Sequence, residues 1–559
     1  MPPPPVMTFL PNRERWLATT SLLLGMVSFT IAIMVANVIL PQLMTSLRAD
    51  LDQVQWVLTG SGIAQTVVMP MVGWLSSFVG RRTLYLSSLA VFCAGSMLSG
   101  LAWSIESLIV FQALSGLGVG LMQPLIAAIL YQIFPPEQRG LALGLSMVGW
   151  SFGPAIGPIL GGYLVEAFSW RAAFYVSLPL GIAGLISAWV WLPTMPRPGR
   201  QAMDRYGLLT LTIALVSLSM ALTQGRREGW DSSYIMTLFA LGTTAVLLFL
   251  LIEWRSTMPL VDLRLFRYSQ FTLAAVVLLL STATFRGTGV LTIVFAQQVL
   301  DLTPLAVGWL LLPGNLVYGV AVIVAGRLAD KLHPSIMTIT GLVWFAGGFF
   351  WFADINETVS TLAFILLLTF RLGSYGIVGP PNNLSAMQGL PEERIVMASG
   401  VFTLLRSIAG TLGAALSVTL YEQRYFSLLQ RFAESHDPSA LGLQHDAVTT
   451  MQQILGATGA VATDLATQTA VILQQRLVAS ATTTAYQDFF LLVALTSLLA
   501  IVPALPFHAG WRLFTSQART RTHRTPTSQG LEDDGAKRPV PIPERTSTPQ
   551  KQASQASTL

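Results

Sequence analysis

The sequence predicts an all-α integral membrane protein with fourteen transmembrane helices, and three observations support this. Hydrophobic residues make up 53% of the 559 positions and charged residues only 11%, whereas soluble domains carry about 25% charged residues. The mean hydropathy of +0.61 agrees with this deficit of polar surface. Fourteen separate apolar runs each reach the roughly 20 residues that a helix needs to cross a bilayer. We therefore expect the apolar surface of the chain to face lipid.

Composition also excludes several kinds of function. The net charge of +5 does not indicate a nucleic-acid partner, because the basic residues separate apolar runs instead of forming a patch. Cys93 is the single cysteine, which excludes a disulfide and a cysteine metal site, and the five histidines lack ligand spacing. No glycine-rich loop ends in Gly-Lys-Ser or Gly-Lys-Thr, so ATP is not expected to bind. We expect no enzyme activity, no catalytic residue, no metal and no cofactor.

The predicted spans follow one another along the chain. The first, at about 16–40, is too long for the core of a signal peptide and lacks a small-residue cleavage site. Glycine and proline occur inside many spans, which membrane helices tolerate better than soluble ones. The remaining spans are expected at about 54–78, 83–103, 106–132, 139–165, 170–193, 207–223, 234–252, 269–299, 304–328, 335–353, 358–387, 396–421 and 488–507.

The basic residues predict which side of the membrane each loop faces. Arg and Lys are more numerous in the loops on the side of the N-terminus, and cytoplasmic loops carry such an excess. Both termini are therefore expected in the cytoplasm, in agreement with an even number of spans. Residues 424–487 then form a long external loop, whose pattern at 448–477 is compatible with a helical hairpin. The tail at 509–559, rich in Ser, Thr, Gln, Pro and Arg, is expected to be disordered.

Two short inner loops carry related sequences, one between the second and third spans and one after the tenth. Their glycines would allow close approach of helices, and their charges would hold the cytoplasmic ends together until the two halves of the protein move. Ordinary positive-inside loops are the alternative interpretation, and the repetition in the second half argues against it. The residues concerned are Gly73, Gly80, Arg81 and Arg82 in the first loop, and Gly326, Asp330 and Lys331 in the second.

The fifth predicted span carries a dense motif of glycine and proline. Small residues at positions i, i+4 and i+8 give a smooth helix face suited to close packing. We expect this face to pack against the other half of the protein at the outer side. A general packing helix without a transport role is the alternative interpretation. The motif consists of Gly149, Gly153, Pro154, Gly157, Pro158, Gly161 and Gly162.

These motifs resemble those of the major facilitator superfamily, in which the motif of the fifth span marks antiporters and exporters. With fourteen spans, the sequence Ser169-Trp170-Arg171 and the long external loop, the chain most resembles the 14-helix drug:proton antiporters of the EmrB type. The resemblance implies a leader (1–15), a six-helix half (16–193), a two-helix insert with linkers (194–268), a second six-helix half (269–508) and a cytoplasmic tail (509–559).

The same resemblance implies a function. It implies proton-driven export of amphipathic small molecules across the bacterial inner membrane by alternating access. It also implies a possible membrane-fusion adaptor protein, which we expect to dock on the 424–487 loop, and an outer-membrane channel. An exporter of a specific metabolite, lipid or siderophore stays open as an alternative, as does a non-transporting scaffold or sensor. The repeated inner loops argue against a scaffold.

The chain departs from the EmrB pattern at charged positions. The family's aspartate of the first helix is replaced by Ala32, ahead of a retained Asn37, and its arginine of the fourth helix by Gln112. The aspartate of the first inner loop is replaced by Ser77. Losing an acidic and a basic residue together suggests that they were partners, because removing one alone would leave an unpaired charge in low dielectric. Proton coupling is therefore expected to be weak, or to use Glu166 or Asp330.

Near the middle of the membrane, the predicted spans contain three arginines but no carboxylate. The acidic residues lie in loops, in the tail or near the ends of spans. A mid-span arginine is costly to insert, by about 2.5–3.5 kcal/mol, so each should have a partner or a function. Arg286 is expected to line a cavity, while helix packing and ligand contact are both open for Arg371 and Arg406. The cavity should prefer anionic, zwitterionic or neutral amphiphiles over cations. Further candidates for the pathway, or for hydrogen bonds between helices, are Asn37, Gln65, Gln112, Gln123, Asn315, Asn382 and Asn383.

Overall fold

The computed structural model describes residues 11–49, 51–195, 204–256, 261–300, 302, 304–354, 359–388, 390–434 and 462–505. Within these ranges the regular structure is helical throughout, without a strand. Fourteen helical segments are long and apolar enough to cross a membrane, which confirms the predicted number. The predicted tail, most of the leader and the middle of the external loop lie outside the described residues.

Eight of the first nine helices form the first six spans, and a short helix at Leu40–Leu47 follows span 1. Two of the spans are interrupted, and proline explains both interruptions because it lacks an N–H donor and is favoured in the first turn of a helix. Span 2 narrows to a 3-10 turn (Met69–Met71) around Pro70, and span 6 restarts just before Pro179. The helices are α1 (Asn12–Val38), α2 (Leu40–Leu47), α3 (Leu51–Val68), α4 (Val72–Val79), α5 (Arg81–Gly100), α6 (Ile105–Ile133), α7 (Arg139–Ala167), α8 (Trp170–Tyr175) and α9 (Leu178–Trp191).

Two further spans, α10 (Arg205–Glu228) and α11 (Ser233–Arg255), follow as a packed pair. Polar caps start both helices: Asp204 accepts a hydrogen bond from the Gly207 N–H at 2.7 Å, and Ser232 accepts one from Ile235 at 3.3 Å. Such caps satisfy amides that the helix leaves free. Gly229, with φ of 85°, makes the turn between the two helices.

The last six spans form the second half. The helices are α12 (Ser269–Gln298), α13 (Pro304–Ala329), α14 (Pro334–Phe352), α15 (Thr361–Met387), α16 (Ile395–Glu434), α17 (Ala462–Leu499) and the short α18 (Ile501–Ala504). Buried aromatic rings pack together in the core of this half, including Phe345, Phe349, Phe352, Phe364 and Phe490.

The helices on either side of the predicted external loop are longer than the sequence indicated. α16 has 40 residues, or about 60 Å at 1.5 Å per residue, twice the hydrocarbon thickness of a bilayer. It continues to Glu434, and α17 begins at Ala462, so both ends of the 424–487 segment are helical continuations of spans. Arg424 bonds to Asp488 at 2.7 Å and joins the two helices. Of the predicted hairpin at 448–477, residues 462–477 are helix and the rest lie outside the described residues.

Candidate functional site

The two halves meet most extensively along α7 and α13, where glycines bring the backbones together. A Cβ on Gly140 would lie 2.4 Å from the carbonyl oxygen of Gly326, and one on Gly144 would lie 2.4 Å from that of Val322. Real side chains do not tolerate such distances, so any larger residue would force the helices apart. These contacts lie at the end of the bundle that carries the loops 73–82 and 326–331, here called the signature end.

Asp330 closes the α7–α13 interface with a pair of charged hydrogen bonds. Its two carboxylate oxygens accept the N–H groups of Gly140 at 2.6 Å and Leu141 at 2.9 Å. These amides are in the first turn of α7, where N–H groups lack helical partners and the helix dipole favours a negative charge. Burial raises the pKa of the Asp330 carboxyl, and Glu137 adds to this effect, while the two amides oppose it. The second predicted loop thus does connect the halves.

A related interface joins α4 to α16 at the same end, without a charge. A Cβ on Gly73 would meet Met397 at 3.4 Å, and one on Gly400 would meet Val72 at 2.8 Å. Ser77 occupies the place in its loop that Asp330 has in the second loop. It is buried, and its hydroxyl donates to the Trp74 carbonyl of its own helix at 2.7 Å. The two interfaces are therefore unequal, and the helix dipole is used in only one of them.

The hydrogen bonds described for the basic residues of the first loop lie within the first half, whereas we expected them to hold the two halves together. Arg81 is buried and donates to the Gln132 side chain of α6, and Arg82 donates to the Trp189 carbonyl of α9. Both partners belong to the first half. Gly80, with φ of 87°, turns the chain between α4 and α5, and Lys331 is exposed. At the signature end, the contacts described above between the halves are made by glycines and by the carboxylate of Asp330.

The prediction that the glycine face of the fifth span packs against the other half is wrong. That face packs on α1: Gly149 lies against Met26, Gly153 against Thr30, Gly157 against Met34 and Gly161 against Val38. Both rows advance by four residues per step, so the two helices fit along four turns. Gly162 has no atom within 4 Å of its Cβ position.

A different face of α7 reaches the second half. The Cβ of Pro158 lies 3.3 Å from the Cβ position of Gly308, and Ser151 lies 2.6 Å from that of Gly319. Pro154 lies within the helix between these contacts. The fifth span is thus fixed to α1 on one side and to α13 on the other.

Arg371 has a structural environment. Its side chain is buried and donates to the hydroxyl of Thr288 at 3.1 and 3.3 Å and to the Phe285 carbonyl at 2.7 Å. The guanidinium also lies 5.0 Å from the centre of the Phe285 ring. These contacts join α15 to α12 within the second half, so the packing interpretation applies to Arg371.

Arg406 lies instead beside a cavity between the halves. Its terminal nitrogen donates to the Asn383 side chain at 2.9 Å, while its buried Nε has no partner among the described residues. The cavity has a volume of about 40 Å³ and is lined from both halves, by Gln123, Ser146 and Trp150 as well as Asn383 and Arg406. The Nε2 of Gln123 is also buried without a partner in the described structure. The space holds water-sized groups, whereas drug-sized ligands occupy roughly 300–1,000 Å³.

Arg286 extends from α12 toward the first half. Its side chain is exposed, and its guanidinium lies 6.0 Å from the centre of the Trp150 ring on α7. Its aliphatic part passes 3.3 Å from the Cβ position of Gly410, one helical turn beyond Arg406. It is thus exposed and close to a residue of the first half, and its role in lining a cavity stays a prediction.

The remaining candidates form hydrogen bonds within their own helix or to a neighbouring helix of the same half. Gln112 is buried and donates to the Ser99 hydroxyl at 3.0 Å, and exposed Asn37 donates to the Ile33 carbonyl at 2.7 Å. Asn315 and Asn382 donate to carbonyls of Leu311 and Ala274 at 2.9 and 3.0 Å. Glu166 lies in the last turn of α7, and its side chain is outside the described part of the structure.

Comparison with known proteins identifies the family. The family model described as Major Facilitator Superfamily matches residues 22–414. The chain belongs to this superfamily. The multidrug export protein EmrB of Escherichia coli K12 is 28% identical over 410 residues, which cover 72% of this chain and 80% of EmrB. The fatty acid resistance protein FarB of Neisseria gonorrhoeae is 28% identical over 454 residues, covering 80% and 89% of the two chains.

A solved structure shows the same fold. The human organic anion transporter MFSD10 (TETRAN) superposes with a TM-score of 0.54 at 15% identity, over 87% of this chain and 100% of that one. The predicted major facilitator fold is thus confirmed. The fourteen apolar helices among the described residues, together with these relatives, identify a multi-pass membrane transporter of this superfamily.

In this member of the superfamily, one signal at the interfaces was missed by sequence reasoning. The sequence Pro-Glu-Gln-Arg at 136–139 precedes α7, and Pro-Glu-Glu-Arg at 391–394 precedes α16. Aligning the two repeats places Gly140 opposite Ile395. Gly326 of the second signature loop approaches Gly140 and Gly144 on α7. Gly73 of the first signature loop approaches Met397 on α16, and in the alignment Met397 falls midway between Gly140 and Gly144. The repeat therefore marks the helix starts that receive the two signature loops.

Proposed function

We propose that the protein is a secondary active exporter of amphipathic small molecules that works by alternating access. The observation that carries the proposal is the pair of related interfaces at one end of the bundle, around a polar cavity lined from both halves. If the predicted orientation holds, this end is cytoplasmic and its interfaces are closed in the present arrangement. Transport requires the two interfaces to separate so that the cavity opens to the other side.

We further propose that proton antiport drives the export, with a coupling group that differs from the family's usual pair. Ala32 carries no charge, and Gln112 is hydrogen-bonded to Ser99. Asp330 is the titratable group best placed to respond to opening, because its environment depends on the contact between α7 and α13. The bacterial inner membrane is the proposed location, with both termini in the cytoplasm.

A second candidate function is export of one specific lipid or lipid-like metabolite. The fatty acid resistance protein FarB matches a larger share of this chain than EmrB does. A specific exporter and a multidrug exporter would share the same interfaces, so only the range of accepted substrates separates the two. A scaffold would need no separable interface.

Reconstitution tests the proposal. Purified protein in liposomes should move a fluorescent amphiphile when a pH gradient is imposed, and Gly144→Leu should abolish the movement because its side chain would collide with the Val322 carbonyl. Gly347→Leu is the matched control, since no atom lies within 4 Å of the Gly347 Cβ position. Movement that is equal in all three proteins and in empty liposomes would contradict the proposal.

A membrane-fusion adaptor, and through it an outer-membrane channel, are proposed partners at the ends of α16 and α17. The Arg424–Asp488 pair and the ring contact between Tyr421 and Tyr486, whose centroids are 4.3 Å apart, hold these two helices together. Deletion of residues 436–460 should prevent co-purification of an adaptor encoded in the same genome and leave liposome transport unchanged. Retention of the adaptor by the deleted protein would exclude this dock.

A further inference from the structure

Two arginines from different helices of the second half share one location between the halves. The side chain of Arg286, on α12, passes beside Gly410 of α16, and Arg406 lies one turn earlier on α16. Residues four apart lie on the same face of a helix. The two guanidinium groups are therefore neighbours, although like charges in a low-dielectric environment repel each other.

No carboxylate compensates this pair within the described ranges. Neither Arg286 nor Arg406 forms an ion pair with any residue that the structure describes. Arg371 differs, because a hydroxyl and a carbonyl of α12 satisfy its guanidinium. A cation inside a membrane protein normally pairs with another group or serves function. No carboxylate of the described residues balances these two charges, and a bound anion would do so.

Donors without acceptors surround the same cavity. The buried Nε of Arg406 and the buried Nε2 of Gln123 have no acceptor among the described residues. Leaving such groups unpaired is unfavourable, and a ligand oxygen between them would satisfy both. The cavity is large enough for a few water-sized groups, which suits the oxygens of an acidic head group but not a whole amphiphile.

The surroundings also provide an apolar and aromatic surface. Met26, Trp150, Met387 and Phe402 line the cavity together with Arg406. Trp150 lies between the cavity and the exposed Arg286, since it borders the first and is 6.0 Å from the second. An amphiphile could place its acidic head at Arg406 and lay its apolar part over Trp150 in the space that exposes Arg286.

We propose that Arg286 and Arg406, with Gln123, form a binding site for the acidic head group of an anionic amphiphile. This proposal rests on the proposed export function and names its substrate class. The recognised chemistry is a carboxylate, sulfonate or phosphate attached to an aromatic or aliphatic body. Arg406 and Gln123 donate to the head group, and Arg286 provides the second positive charge at the entrance to the cavity.

The test uses three pyrene compounds that differ only in the head group: pyrenebutyrate, pyrenebutanol and pyrenebutyl-trimethylammonium. Binding to the detergent-solubilised full chain is measured by fluorescence polarisation. Transport is measured in liposomes at zero membrane potential, so that charge itself exerts no driving force. Wild type should bind and transport the anion in preference to the other two.

Variants then locate the site. Arg406→Gln and Arg286→Gln should each weaken anion binding by about tenfold or more, as loss of a charge-assisted hydrogen bond predicts, with little effect on pyrenebutanol. Arg424→Gln is the matched control, because it removes one positive charge from the same helix α16 at a place far along the chain from the cavity. Gln123→Glu adds an internal carboxylate beside Arg406 and should exclude the anion and admit the cation. Each variant is first checked for a wild-type elution profile and melting temperature.

The outcomes separate this proposal from the export function. Preference for the cation, unchanged in Arg406→Gln and Arg286→Gln, overturns the anion site and leaves export intact. Preference for pyrenebutanol, unchanged in both variants, also overturns the anion site and leaves export intact. If wild type moves none of the three compounds, export of amphiphiles is contradicted, and the binding measurement alone decides the anion site.

Discussion

The carboxylate of Asp330 caps the start of α7 by accepting the backbone N–H of Gly140 at 2.6 Å, across the interface between the halves. A second bond to the Leu141 N–H at 2.9 Å uses the other oxygen. The absence of a side chain on Gly140 is what permits this approach, because a Cβ there would lie 2.7 Å from Oδ1 of Asp330. This end of the interface therefore depends on the two acceptor oxygens of one carboxyl group and on one glycine.

Asp330→Asn should weaken the closed interface. The substituted amide has one oxygen and one NH₂ group, so one of the two backbone N–H groups would face another donor. A buried N–H that loses its acceptor costs about 1–3 kcal/mol, whereas the hydroxyl oxygen of a protonated Asp330 can still accept the bond. Distances between spin labels at Gln138 and Leu332, in a Cys93→Ser background, should shift toward a more open population. Asp354→Asn, at an exposed position, should leave the distances unchanged, and an unaltered distribution in Asp330→Asn would contradict the prediction.

The same distances should depend on pH. Burial, followed by the effect of Glu137, raises the pKa of Asp330 in the closed arrangement, whereas a carboxyl exposed by opening would have an ordinary pKa near 3.9. The closed arrangement therefore binds the proton more tightly. The extra stability that this proton gives to the closed arrangement is complete below about pH 3.9. It is lost as the pH rises through the raised pKa of Asp330. We expect the open population to increase over this window in wild type and to show no such step in Asp330→Asn.

Gly157→Leu should block transport without preventing membrane insertion. Its Cβ would lie 2.5 Å from the Cβ of Met34 on α1, and overpacking costs about 1–3 kcal/mol. Gly161→Leu should act in the same direction but less strongly, because the nearest atom, the Cβ of Val38, is 3.3 Å away. Gly162→Leu is the control on the same helix, with open space around it. Normal transport by a correctly inserted Gly157→Leu protein would refute the prediction.

Arg371→Lys should reduce stability rather than alter substrate preference. Lysine cannot reproduce the bonds that the planar guanidinium makes to Thr288 and to the Phe285 carbonyl. We expect a loss of about 1.5–3 kcal/mol in the free energy of unfolding, measured by denaturant titration in detergent. Arg286→Lys, an exposed position on the partner helix α12, should have little effect on stability. Equal losses in the two variants would contradict a structural role for Arg371.

The sequence predicted the fourteen spans because hydropathy and length are local properties of a segment. It did not predict the partner of the glycine face in the fifth span. A row of small residues indicates that a helix packs closely, but it does not identify the neighbouring helix. The matching row from Met26 to Val38 on α1 has no signal of its own, because methionine, threonine and valine occur throughout the chain.

The three mid-span arginines show the same limit. Their cost in the membrane predicted that each needs a partner, but the sequence could not distinguish them. Arg371 is satisfied because Thr288 and the Phe285 carbonyl lie opposite, on a helix some 80 residues earlier, whereas Arg406 lies beside a cavity. Such differences arise from tertiary packing. The capping by Asp330 was closer to prediction, because the acidic residue was visible in its loop and only the receiving helix was unknown.

The unequal interfaces lead to a final prediction, based on the alignment of the two loops and of the two helix starts. Ser77 corresponds to Asp330, and Ile395 corresponds to Gly140. Ser77→Asp alone should destabilise the protein, because it places a carboxylate at a site that is only 2% exposed, and the side chain of Ile395 would block it from the first amides of α16. Ser77→Asp combined with Ile395→Gly should recover stability, since the carboxylate could then cap α16 as Asp330 caps α7.

The double variant should also favour the closed signature end more than wild type does. Distances between spin labels on α4 and α16 would measure this shift. Ile395→Gly alone serves as the control, because it should lose stability through the cavity it creates, without the compensating cap. A double variant no more stable than the sum of the two single variants would show that the two interfaces are not equivalent in geometry.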